Sequence, residues 1–111
     1  MSTPLKWEEF ERVEIRVGTV LSCQWNEKAR KPAYILEIDL GSLGIRRSSA
    51  QVTDRYSLDD LIGKQVVAVV NFPPKQIAGM MSECLVLGAL EDNGVILLHP
   101  GEIVANGTRI G

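Results

Sequence analysis

The sequence predicts an all-β protein, a small five-stranded barrel with a short N-terminal helix and a C-terminal strand extension. Three observations predict it. Apolar residues recur with period two over residues 13–23 and 34–40, the pattern of half-buried strands. Val66–Val70 is a continuous apolar run and reads as a buried strand. A short capped helix sits between the strand-like segments that flank it, at Ser57–Ile62.

The elements follow in order. Thr3-Pro4 reads as a helix start, with Thr3 as N-cap and Pro4 in the first turn. Trp7, Phe10 and Val13 recur at a spacing of three, so the helix is amphipathic. Near Val13 the period changes to two. Val13, Ile15, Val17, Thr19, Leu21 and Cys23 then share one face, opposite Glu14, Arg16, Gly18, Val20 and Ser22. Gly18 inside this strand predicts a bulge or sharp curvature. After a polar loop, residues 26–32, Tyr34, Leu36, Ile38 and Leu40 alternate with Ile35, Glu37 and Asp39 in a second strand. Gly41–Gly44 is a turn, and Ile45–Ala50 is a third strand with a polar start. Ser57 caps the short helix, acids fill its first turn, and Gly63 ends it. Gln65–Val70 is the fourth strand and Glu83–Ala89 the fifth. Glu91-Asp92-Asn93-Gly94 reads as a hairpin turn before a further strand at Val95–Leu98. Three strands, a helix and two strands is the order of an OB-fold, a five-stranded Greek-key barrel, though another small barrel fits this order too.

At 111 residues the chain makes one domain. Its parts are the helix over 1–12, the barrel over 13–89 and the extension over 90–111. No run is long and apolar enough to span a membrane, and the first residues lack an apolar signal core. A cytoplasmic protein is expected. Cys23 and Cys84 are then expected as free core thiols. The net charge of −2 weakens general affinity for nucleic acid. The charge is uneven: residues 1–27 carry −2, 28–75 carry +3 and 76–111 carry −3. The basic middle is either a solvated mixed-charge surface or a phosphate-facing patch.

Catalytic chemistry finds little support. His99 is the single histidine, and one histidine with two distant cysteines does not make a metal site. Ser48 and Ser49 have no base near them in sequence. Gly41-Ser42-Leu43-Gly44 lacks the length, helix and lysine of a phosphate loop. The expectation is a binding protein, not an enzyme, with no cofactor.

The stretch Val66–Glu83 carries the most information. A buried strand runs into Asn71-Phe72-Pro73-Pro74, then Lys75-Gln76-Ile77-Ala78-Gly79-Met80-Met81-Ser82-Glu83. With Ala29–Tyr34 and Arg46–Gln51, it resembles the small tRNA-binding OB-fold family. The pattern is closest to the family's CsaA-type branch of export-related chaperones. The resemblance implies ATP-independent binding of unfolded or pre-secretory polypeptides, with structure-specific tRNA binding as the alternative. Family members that bind tRNA tend to carry a basic residue before the loop glycine; here Ala78 stands there. That departure and the acidic net charge make tRNA binding weak by expectation.

In an OB-fold, strands two and three and the flanking loops form the ligand face. The expected binding residues are therefore Tyr34, Arg46, Arg47, Ser48 and Ser49 on those strands. Asn71, Phe72, Lys75, Met80, Met81 and Ser82 join them from the loop. Phe72 and Met81 either line an apolar pocket or, with Met80, plug one end of the barrel. Trp25 is either a core lid or a partner contact. Pro73-Pro74 holds the loop extended. Trp7, Phe10, Ile96, Leu98, Ile103, Val104 and Ile110 exceed what five strands can cover, and CsaA-like relatives pair through these terminal segments. A homodimer is expected.

Overall fold

One long strand organises the molecule. In the computed structural model, which describes residues 3–111, it is β1 (Ile15–Trp25), preceded by α1 (Trp7–Glu11). β2 (Tyr34–Asp39), a short 3-10 turn (Gly41–Leu43) and β3 (Ile45–Ala50) follow. α2 (Leu58–Leu61) leads into β4 (Gln65–Val69). Six short strands complete the chain: β5 (Lys75–Ile77), β6 (Met80–Ser82), β7 (Leu85–Val86), β8 (Gly88–Glu91), β9 (Gly94–Leu97) and β10 (Arg109–Ile110). The main sheet runs β3-β2-β1-β4-β7, all antiparallel, with β10 also on β1.

The length of β1 lets it serve several partners. Its first half pairs with β4, from Ile15↔Val69 to Thr19↔Gln65. Its second half pairs with β2, ending at Trp25↔Tyr34. The sheet then curls until β3 meets the chain after β6. There Glu83 N–H donates to Arg47 O at 2.8 Å and Ser48 Oγ donates to Cys84 O at 2.9 Å. The result is a nearly closed all-β barrel, as the OB-fold expectation requires. Its interior holds Tyr34, Leu36, Ile38 and Leu40 from one side and Val66, Ala68 and Val70 from the other, with Leu61 of α2 beneath them.

The inward face of β1 differs from the expected one. Gly18 lies opposite Val66, and Val20 is in the core. The register then shifts between Val20 and Ser22, which turns Leu21 outward and brings Cys23 back inside. Val17 is fully buried, but on the opposite side from Gly18, where the C-terminal segment covers it. Its N–H donates to Thr108 O at 2.9 Å, and its carbonyl accepts from Gly107 N–H at 2.7 Å. Both faces of this half-strand are covered, so alternation alone cannot identify the inner one. Gly18 is required by close approach: a Cβ there would stand 2.5 Å from Ile38 Cγ2 and 2.7 Å from Leu40 Cδ2. The curvature itself comes from the bulge at Leu21.

Two other boundaries move. The N-cap of α1 is Lys6, not Thr3, and its N–H donates to the Glu9 carboxylate at 3.0 Å. The expected fifth strand divides at Leu87. Leu87 N–H donates to Val67 O at 2.8 Å, while its carbonyl accepts from Leu98 N–H at 3.1 Å, so the chain changes partners there. β8 then pairs with β9 in a separate hairpin around Asp92-Asn93. The expected cap of α2 is present: Ser57 N–H donates to Asp60 Oδ2 at 2.7 Å, which holds the Asp60 carboxyl below its ordinary value.

Candidate functional site: two grooves beside one hairpin

The expected extended loop after Pro74 is a hairpin. Lys75↔Ser82, Gln76↔Met81 and Ile77↔Met80 pair across β5 and β6. Ala78 and Gly79 form its turn with φ of +46° and +82°. Two left-handed residues at the centre of a two-residue turn match the twist of the strands they join. Strand alternation then sorts the side chains. Lys75, Ile77, Met80 and Ser82 share one face, and Gln76 and Met81 share the other.

The first groove, about 380 Å³, lies between this hairpin and the barrel. Phe72, Pro73, Ile77 and Leu85 give it apolar walls, and Ser49 and Ser82 supply hydroxyls. Lys75 is the cation among its lining residues. Phe72 is 56% exposed, so it offers a ring to the groove and does not plug the barrel. The Cys84 thiol also lines the groove, and burial pushes its pKa up to about 11, so it is neutral there.

The second groove, about 400 Å³, lies at the hairpin's turn. Trp25, Asn26, Glu27 and Lys28 form one wall, and Arg47, Ala78, Gly79 and Met80 contribute the facing side chains and backbone. Among the described residues the one ion pair is Arg16–Glu14, at 2.7 Å. Lys28, Arg47 and Lys75 therefore present their charge without a carboxylate partner.

The expected binding residues divide between these grooves and the framework. Phe72, Lys75, Ser49 and Ser82 line the first groove, and Arg47 lines the second. Met81 is exposed on the far face of the hairpin and lines neither, so its pairing with Phe72 in one pocket is corrected by strand alternation. Met80 lines the second groove but is 5% exposed. Tyr34 is a core residue whose hydroxyl donates to Tyr56 O at 2.6 Å. Ser48 is buried in the barrel seam. Arg46 is half-buried and donates to Val70 O at 2.6 Å. Asn71 links β4 to the chain before β1: its Oδ1 accepts from Glu14 N–H at 3.0 Å and its Nδ2 donates to Arg12 O at 2.6 Å. Sequence reasoning left out Ile77, Leu85, Asn26 and Lys28. His99 meets Gln65 O through Nδ1 at 2.6 Å, a framework contact. No group of three or more His, Cys, Asp or Glu side chains among the described residues converges to hold a metal.

Residues 15–109 match the family model described as Putative tRNA binding domain. The chain belongs to the tRNA-binding domain family. Among solved structures of similar proteins, the chaperone CsaA of Bacillus anthracis is 50% identical, with a TM-score of 0.93, over 98% of this chain and 100% of that one. CsaA of Picrophilus torridus is 45% identical with a TM-score of 0.93, over 97% of this chain and 100% of that one. The CsaA-type resemblance read from the sequence is thus matched in structure. A longer relative, the methionine–tRNA ligase of Thermococcus onnurineus, is 35% identical over 106 residues. That match covers 96% of this chain and 14% of the ligase, so the tRNA-binding domain described here spans about one seventh of that enzyme.

Proposed function

We propose that the protein binds unfolded polypeptides as an ATP-independent chaperone. The observation that carries this reading is the first groove: half-exposed Phe72, held behind Pro73-Pro74, facing Ile77 and Leu85 over about 380 Å³. Apolar walls suit side chains that a folded client would bury, and a loop stiffened by two prolines loses little freedom on binding. The likeness to CsaA chaperones supports the reading and suggests pre-secretory clients, met in the cytosol before export. The protein would act by binding alone, without a catalytic step. A labelled unfolded polypeptide should bind saturably to the wild type and at least several-fold more weakly to Phe72→Ala.

A second reading, tRNA binding, rests on the second groove. There two cations without carboxylate partners, Lys28 and Arg47, flank the half-exposed Trp25. The family match agrees with it. Neutral Ala78 in the turn and the net charge of −2 set its strength low.

A homodimer completes the proposal. Trp7 and Ile103 are 78% and 81% exposed, and Ile96 and Leu98 are also exposed. A two-fold interface through the terminal segments would cover them. Light scattering at micromolar concentration should return twice the chain mass; a monomer mass would remove this part of the proposal.

A further inference from the structure

The second groove contains a buried donor with nothing to donate to. Asn26 is 7% exposed and lines the groove. Its Oδ1 accepts from Lys28 N–H at 3.1 Å, which settles the orientation of the amide. Its Nδ2 then has no hydrogen-bond partner in the protein. Buried polar atoms are nearly always paired, because an unmade bond forfeits the group's hydration without return. Beside it, Trp25 is 50% exposed, and its ring is steadied by the buried Tyr34, with ring centroids 4.8 Å apart in an edge-to-face contact. The Lys28 side chain lies along Gly79: a Cβ at Gly79 would stand 2.7 Å from its Cδ and 3.2 Å from its Nζ. This flexible chain is the part of the wall that yields most cheaply to a ligand.

We propose that this groove holds a single unpaired nucleotide of a bound RNA. The base stacks on Trp25, a base carbonyl accepts from Asn26 Nδ2, and the phosphate lies near Lys28 and Arg47. Each requirement of the site is met by that one ligand class. A fixed indole offers a π-face, and base–aromatic stacking is a main source of single-strand affinity. The orphan donor needs an acceptor, and pyrimidine bases carry carbonyl oxygens in the plane of the ring. Lys28, Arg47 and one carboxylate, Glu27, line the groove, while the carboxylates beside Arg47 are engaged elsewhere, Glu37 by Ser22 Oγ and Glu83 by Arg47 N–H, so the lining itself favours an anion. A peptide side chain would satisfy the ring, but it does not bring a negative charge one sugar away from a planar group. The first groove, with its apolar walls, is the better peptide site. The proposal rests on the tRNA reading and narrows it from backbone contact to a base-reading subsite.

Two measurements test it. In a Trp7→Phe background Trp25 is the one remaining tryptophan. Its emission should be quenched saturably by millimolar UMP and left unchanged by inorganic phosphate. Gel-shift titration of tRNA should then show Trp25→Ala and Asn26→Asp each weakening binding about tenfold or more. Asn26→Asp keeps the acceptor for Lys28 N–H, removes the donor and adds a negative charge, so its effect counts for the subsite only where it exceeds that of Gln24→Glu, which adds the same charge to the groove and leaves the donor in place. If tRNA binds and both variants bind it within twofold of wild type, the subsite is overturned and the tRNA reading survives. If wild type binds no tRNA, both fall. Should Asn26→Asp not fold, the fluorescence titration decides alone: no saturable quenching by UMP overturns the subsite.

Discussion

Trp25 and Tyr34 meet edge to face with ring centroids 4.8 Å apart, and only Trp25 reaches solvent. Tyr34 is held from the inside by its hydroxyl, which donates to Tyr56 O at 2.6 Å, while the Tyr56 hydroxyl accepts from Leu97 N–H at 3.0 Å. The pair thus joins the barrel core to the rim of the second groove. Tyr34→Phe should lower stability by about 1 kcal/mol, since it removes the hydrogen bond to the carbonyl of half-buried Tyr56. It should leave polypeptide affinity unchanged. Urea unfolding and a binding titration on the same sample check both statements.

The turn of the β5–β6 hairpin carries removable strain. Ala78 has φ of +46°, a region that disfavours side chains with a Cβ. Ala78→Gly should stabilise the protein by about 0.5–1 kcal/mol, the relief being offset in part by the freer unfolded chain. Gly79→Ala should act in the opposite direction, because its φ is +82° and the new Cβ would displace Lys28. Paired thermal melts of the two variants give the sign.

The two thiols set a limit on alkaline stability. Burial raises Cys23 and Cys84 from the ordinary 9.0 to about 11 each. Between pH 9 and 11 the unfolded chain therefore loses thiol protons that the folded chain keeps. The folded state binds more protons in that window, so stability should fall as pH rises through it and be full below pH 9. Replacing both cysteines with alanine should flatten this part of the profile, as measured by urea midpoints across the window. Iodoacetamide should label the native thiols slowly and the unfolded ones fast.

Much of the barrel was legible because its signals are local. The alternation of β2 placed Tyr34, Leu36, Ile38 and Leu40 inside, and Ser57 with its following acids marked α2. The inward face of β1 was not legible. Its first half is covered on both sides, and its second half changes parity at Leu21, where a long-range register shift decides the outcome. The site was read in outline only. Phe72 and Lys75 sit at the first groove because the strand–Asn–Pro–Pro pattern fixes the exit of β4. Tyr34 lies on the buried face that the alternation of β2 already marks, so an aromatic ring there is core and not ligand face; Ser48 shares β3 with the exposed Ile45, and only the barrel's curl tells that it is enclosed. Lys28 and Asn26 lie in a polar loop of ordinary composition, and their groove exists only once the β5–β6 turn folds over against it.

Function and stability should separate at the first groove. Leu36 is fully buried, and Leu36→Ala should cost about 2–5 kcal/mol through the cavity it leaves. Phe72 is more than half exposed, and Phe72→Ala should change stability by about 0.5 kcal/mol or less. If Phe72→Ala unfolds the protein as Leu36→Ala does, Phe72 is a barrel plug and not a groove residue.

The central claim is that the Phe72 groove binds unfolded polypeptide by apolar contact. The most direct measurement is a titration of labelled unfolded polypeptide and labelled tRNA at low and at physiological salt, with wild type, Phe72→Ala and Lys75→Ala. Polypeptide binding should be saturable, nearly independent of salt, weakened by Phe72→Ala and spared by Lys75→Ala. The weaker tRNA affinity should fall steeply with salt as counterion release is lost. Tight, salt-resistant tRNA binding with no saturable binding of polypeptide would contradict the account.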